Sequence, residues 1–85
     1  MNVLRTDFRL MAQRIQFVRE IRAMHRCEDC RAIAGQPHPE TGAATRLQVV
    51  RANRDGRWSI LNMLCLCQVC RYRRRRAELF KQAAR

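Results

Sequence analysis

Cys27-Glu-Asp-Cys30 and Cys67-Gln-Val-Cys70 are the two stretches whose reading decides how this chain folds. Each Cys-x-x-Cys pair can hold a metal ion from a tight turn, and two pairs complete a tetrahedral four-cysteine site. Thiolates are soft donors, so such a site takes Zn2+, which accepts four of them at about 2.3 Å, in preference to calcium or magnesium. One structural zinc on Cys27, Cys30, Cys67 and Cys70 is therefore expected. The 36 residues between the pairs (31–66) exceed the usual spacing within one finger and leave room for a hairpin or loop that carries function. A disulfide scaffold would suit a secreted chain, but Arg5, Asp7, Arg9 and Arg14 interrupt any apolar signal region. A thioredoxin-like pair needs a surrounding βαβ pattern, which this chain lacks. The fifth cysteine, Cys65, lies in the apolar run 60–66, where a free cysteine behaves as a small buried hydrophobe. Cys65 replacing Cys67 as ligand is the lesser option, because Cys67 and Cys70 have the better knuckle spacing.

Eighty-five residues allow a single domain, 1–85, with a modest core, so a structural metal would supply much of its folding free energy. No stretch of eighteen apolar residues offers a membrane span. The charge is extreme: 18 basic residues, all but Lys81 arginine, against 7 acidic ones give a net of +11. That balance favours a polyanion, with nucleic acid first, and arginine both grips phosphate bidentately and stacks on bases. An acidic protein answers to the same charge. A G·C-rich coding sequence would also favour arginine over lysine, but it would not create the net charge.

Residues 1–26 read as an amphipathic helix, since Leu4, Phe8, Met11, Ile15 and Val18 recur at helical spacing. Leu10, Phe17, Ile21 and Met24 widen the stripe, and Thr6 or Asp7 is the expected N-cap. The stripe is wide for a helix covering so small a module, which raises the expectation of a homodimer through residues 1–26. A loop over 31–45 follows, punctuated by Gly35, Pro37, Pro39 and Gly42, with a turn at 39–42. Leu47, Val49 and Val50 suggest a first strand, 53–56 a turn, and Trp58-Ser59-Ile60 a second strand. A basic helix should begin near Asn62 or just after Cys67 and run to about Ala84. The fold class is thus α+β: a short hairpin and a C-terminal helix, preceded by a long N-terminal helix.

Knuckle, loop, hairpin and second knuckle opening a helix follow the order of a treble-clef zinc finger and of the ββα-metal module built on it. Over residues 27–72 the likeness becomes specific. Cys27-Glu-Asp-Cys30, Gly35-Gln-Pro-His-Pro-Glu-Thr-Gly42, Leu47-Gln-Val-Val-Arg51, Asn62 and Leu66-Cys67-Gln-Val-Cys70 resemble the zinc-bearing HNH endonuclease family, in its small phage and bacterial type. The resemblance implies a structural zinc and a separate catalytic site, where one histidine activates water and others hold a divalent metal at the scissile phosphate. Carried onto this chain, the family positions are Val50, Arg51, Asn62 and Arg71, with Arg54 at a further position that is often histidine. Asn62 alone matches. Arginine neither acts as a base at neutral pH nor donates a lone pair to a metal. His25 and His38 occupy no catalytic slot: His25 is read as a helix-end residue and His38 as a turn residue.

The expected protein is therefore non-enzymatic: a cytoplasmic, phage or bacterial HNH-like zinc protein. It would bind nucleic acid, DNA first, through Arg51, Arg54, Arg57, Arg71, Arg73, Arg74, Arg75 and Arg76. Trp58 and Tyr72 are read as core or hairpin packing before base stacking. The runner-up is an effector that docks on an acidic host protein and inhibits or recruits it. A third reading is an HNH nuclease with non-standard ligands. No membrane partner is expected.

Overall fold

The computed structural model describes the backbone of residues 3–83 and the side chains of residues 8–82. Helix α1 (Val3–Gln16) continues as a π-helical segment, Phe17–Arg22; strands β1 (Leu47–Arg51) and β2 (Met63–Cys67) pair, and helix α2 (Gln68–Ala83) follows directly. The α+β architecture is as expected, but three boundaries differ.

The helical segment ends at Arg22, short of residue 26. Its last turn widens, with the Ala23 N–H reaching back five residues to the Val18 carbonyl at 2.8 Å. Met24 and His25 then take left-handed conformations (φ 54° and 59°), which no helix continues through. The exit is held by hydrogen bonds from the His25 N–H to the Arg19 carbonyl and from the Ala34 N–H to the His25 carbonyl, both 2.9 Å. At the other end, α1 already runs through Thr6 and Asp7, so neither caps its start. The side chains of Leu4 and Arg5 lie outside the described residues.

The second strand is Met63–Cys67, not a segment around Trp58-Ser59-Ile60. The strands run antiparallel with Leu47 opposite Cys67, Val49 opposite Cys65 and Arg51 opposite Met63. Ile60–Asn62 is a 3₁₀ turn feeding β2, so the hairpin connection spans 52–62 and the predicted turn at 53–56 lies within it. Helix α2 starts at Gln68, the later of the two predicted starts.

The small sheet is packed on both faces. Val18 inserts against Val49, Met63 and Cys65, flanked by Ile15, Trp58 and Ile60. On the other side Leu66 joins Cys27, Ala32, Cys67 and Cys70, with Val50, Leu64 and Val69 around them. Cys65 is fully buried, as read from its apolar run. Tyr72 is not core: it is 64 % exposed on α2. Along α1 and its extension, Phe8, Leu10, Phe17 and Ile21 stay exposed, so most of the apolar stripe finds no cover within the described residues.

Arg22 ties the N-terminal segment to the sheet. Its guanidinium donates to the Ile60 carbonyl at 2.8 Å, to the Met63 carbonyl and to Glu28 Oε1 at 2.7 Å. Glu28 Oε1 in turn accepts the Cys65 N–H at 2.8 Å. The first knuckle is thereby hydrogen-bonded to the strand carrying the second.

Candidate metal centre and basic groove

The two knuckles meet. The sulfurs of Cys27, Cys30, Cys67 and Cys70 lie within 4.8 Å of one another, and Cys30 Sγ and Cys67 Sγ are 3.6 Å apart. Disulfide sulfurs would be bonded at about 2.05 Å, whereas four thiolates around one ion at about 2.3 Å are separated by about 3.8 Å. All four cysteines are free, and the cluster has the separations a four-coordinate metal ion needs.

Local backbone geometry presents these sulfurs. In the first knuckle Arg31 donates to the Cys27 carbonyl and Cys27 to the Ala32 carbonyl, both at 2.9 Å, with Arg31 left-handed at φ 68°. In the second, Cys67 immediately precedes α2, and its Sγ accepts the Cys70 N–H at 3.4 Å. That is an N-cap made by sulfur, and the positive end of the helix favours the thiolate there. Gln68 fixes the same corner: its side chain accepts the Arg46 N–H and donates to the Ala44 carbonyl, each at 2.9 Å.

The thiols are electrostatically unequal. Burial opposes ionisation of Cys27, but backbone N–H groups of Cys30, Cys67 and Asp29 and the Cys30 thiol outweigh it and bring the group to about 7. Burial pushes Cys30 up, and burial reinforced by the neighbouring thiols pushes Cys70 up strongly. Four negative sulfurs in so small a volume repel one another, and a divalent cation is what makes the fully ionised set favourable. Burial, then the Glu28 charge, also raises Cys65, consistent with an inert core thiol.

His38 belongs to this centre, beyond its expected role as a turn residue. It is 2 % exposed, with Nε2 3.3 Å from Cys67 Sγ and 3.7 Å from Cys30 Sγ. The turn itself is as read: the Gly42 N–H closes onto the His38 carbonyl at 2.8 Å, and Gly42 takes φ 74°. The signal that marks His38 in the sequence is its place between two prolines, eight residues after Cys30. His25, by contrast, is exposed at the helix end.

Beside the metal centre a groove of about 470 Å³ runs between α2 and β1. Arg51, Arg54, Arg71, Arg74, Arg75 and Lys81 line it with Gln48, Val50 and Leu66, and Glu78 is its one carboxylate. The structure thus brings five of the eight predicted arginines to one surface. They are not equally free. Arg51 lies over Trp58, 5.0 Å from the ring centroid, and donates to the Gly56 carbonyl at 3.1 Å. Arg71 donates to Gln48 Oε1 at 2.6 Å, and Arg54 sits 3.9 Å from Glu78. Arg74 grips Asp29 with Nε and Nη2 at 2.9 and 3.1 Å, and Arg73 pairs with Glu40. Arg73 and Arg74 therefore hold α2 to the first knuckle and the 31–45 loop. Among the described residues, the guanidinium groups of Arg57, Arg75 and Arg76 make no hydrogen bond or ion pair, although the Arg57 carbonyl accepts from Asn62.

Of the family positions, Val50 is half-buried against the cysteine cluster. Asn62 pins the hairpin connection: Oδ1 accepts the Asn53 N–H at 2.9 Å, and Nδ2 donates to the carbonyls of Asn53 and Arg57 at 3.1 and 2.8 Å. No helix among the described residues is long and apolar enough to cross a membrane. No family model, no curated protein and no solved structure matches the chain.

Proposed function

We propose that this chain is an HNH-like zinc protein without a hydrolytic centre, which binds nucleic acid, DNA first, through the groove between α2 and β1. The four-sulfur cluster is read as one structural zinc, because an all-thiolate donor set is soft and closed. With it, the order knuckle, hairpin, knuckle, helix supports a treble-clef, ββα-metal assignment.

The observation that carries the binding reading is the lining of the groove: six cationic side chains against one carboxylate. In water such a surface attracts a polyanion and releases its counterions, giving affinity without base information. Arg51 and Arg71 stand where the resembling family carries catalytic histidines, and neither can take a proton from water. The expected activity is therefore retention of duplex DNA without cleavage, including in Mg2+ or Mn2+.

The test is binding to mixed-sequence duplex as a function of salt. Three or four phosphate contacts weaken the affinity about 40- to 150-fold between 50 and 200 mM salt. Replacing Arg75 and Arg76 with glutamate should reduce the logarithmic salt slope by about 2 and leave the zinc content at one per chain. Binding that ignores salt, or plasmid nicking lost in Asn62→Ala, would overturn the proposal. Absence of binding at low salt would favour an acidic protein partner, a reading supported by the exposed Phe8, Phe17 and Ile21 beside so basic a surface.

A further inference from the structure

The imidazole of His38 is held from every side. The backbone on either side of the ring is fixed first: the His38 main-chain N–H donates to the Ala43 carbonyl at 2.7 Å, and the His38 main-chain carbonyl accepts the Gly42 N–H at 2.8 Å. Its Nδ1 accepts the Glu40 N–H at 3.1 Å, while the Glu40 carboxylate is anchored to Arg73 on α2. That leaves Nε2 as the atom facing Cys67 Sγ and Cys30 Sγ, at 3.3 and 3.7 Å.

The Glu40 contact decides the tautomer. A neutral imidazole has one donor nitrogen and one acceptor nitrogen. With Nδ1 occupied as acceptor, the proton sits on Nε2, and Nε2 has no lone pair to offer a metal. We propose that His38 is a dedicated hydrogen-bond donor to the sulfur cluster, its Nε2–H shared between Cys67 and Cys30, and not a fifth or replacement ligand. It rests on reading the four cysteines as a metal site and is independent of the nucleic-acid reading.

The physical role follows from charge. Four thiolates around a divalent cation carry a net charge of −2 into a largely buried site. An N–H aimed at two of those sulfurs spreads that charge and orients the ligands, as outer partners of metal ligands generally do. A hydrocarbon of similar size in the same place would fill the space and leave the charge unrelieved.

Metal analysis of the purified full chain comes first; a chain that takes up no zinc overturns this proposal together with the metal reading. In the zinc-loaded, 15N-labelled protein, imidazole NMR should show His38 Nε2 protonated, Nδ1 unprotonated, and the Nε2–H slow to exchange with solvent. In the 113Cd-substituted protein the cadmium should couple to that proton through the hydrogen bond, with a shift typical of four sulfur ligands. A protonated Nδ1, or a direct cadmium–nitrogen coupling, would sink the proposal and leave the metal site standing. His38→Leu should speed transfer of zinc to a chromophoric chelator by about 10-fold or more, and His38→Gln, which keeps an N–H donor, should recover most of that loss. Release from the leucine variant at the native rate would equally refute it. Should the leucine variant fail to fold, the tautomer and the cadmium coupling in the native chain still decide.

Discussion

Asn62 acts through three hydrogen bonds that close the hairpin connection onto itself, two to Asn53 and one to the Arg57 carbonyl. Gly56 is part of the same arrangement. A Cβ at Gly56 would lie 2.6 Å from Asn62 Nδ2 and 3.3 Å from the Asn53 carbonyl oxygen, so the amide could make room only by surrendering its bonds. Asn62→Ala should cost about 1–3 kcal/mol, from one half-buried side chain and the backbone groups it leaves unpaired. Gly56→Ala should cost a comparable amount in the native background. In the Asn62→Ala background it should cost much less, because the obstructing amide is gone. Urea unfolding of the zinc-loaded double-mutant set measures this; strict additivity would show that the two residues do not share the contact. Arg31 poses the opposite case. It holds φ 68° with a side chain attached, where glycine would carry no steric penalty. Arg31→Gly should therefore raise the melting temperature by a few degrees, up to about 1 kcal/mol of strain relief being offset in part by unfolded-state entropy.

At the scale of elements, α2 is fastened by its own arginines. Asp29 and Glu40 are both held below their ordinary values by hydrogen bonds from Arg74 and Arg73 respectively. For Asp29 the sign is that of a depressed carboxylate: the tie contributes above the ordinary 3.8 and is lost as pH falls through the lower folded value. Both partners are part-exposed, so the contribution is about 0.5 kcal/mol at most. Between pH 5 and 8 this tie is constant. Asp29→Asn should lower the melting temperature slightly at pH 7 while leaving the pH 5–8 profile of zinc release unchanged. A shifted profile would mean that Asp29 acts on the sulfurs themselves. The sequence announces the two knuckles, β1, the 39–42 turn and a helix just after Cys67, because each has a local signature. It misplaces β2 for a physical reason. Met63–Cys67 is buried on both faces, so it lacks the alternation of a half-exposed strand, while Trp58-Ser59-Ile60 alternates without pairing. The arginine run is visible as charge, but its division into fasteners (Arg73, Arg74) and free cations (Arg75, Arg76) depends on where Asp29 and Glu40 fold. The place of His38 against the sulfurs likewise depends on a turn that only the folded chain completes.

For the molecule as a whole, the buried apolar set shows what keeps it folded. Of the nine buried apolar residues, four are cysteines: Cys27, Cys65, Cys67 and Cys70 sit at 0–4 % exposure with Leu66 and Met63, and Cys30 stands half-buried beside them. Three of those four are candidate ligands, so without a metal the remaining core is Val18, Ala32, Val49, Met63, Leu66 and the Cys65 thiol. A set that small does not outweigh the conformational entropy of some eighty residues. The charge worsens the balance, since a net of +11 repels itself in any compact state. On the reading of the four cysteines as a metal site, metal binding would supply folding free energy directly, and its removal should unfold the chain rather than loosen it. Stripping zinc with a strong chelator under reducing conditions should abolish the cooperative thermal transition and most of the amide dispersion, and stoichiometric Zn2+ should restore both. Cys70→Ser should fail to refold at the same zinc concentration, whereas Cys65→Ala, outside the cluster, should still bind one zinc with a melting temperature lowered by a small core cavity. A metal-free chain that retains a sharp transition would place the stability of this fold in its apolar contacts and remove the basis for treating the sulfurs as its keystone.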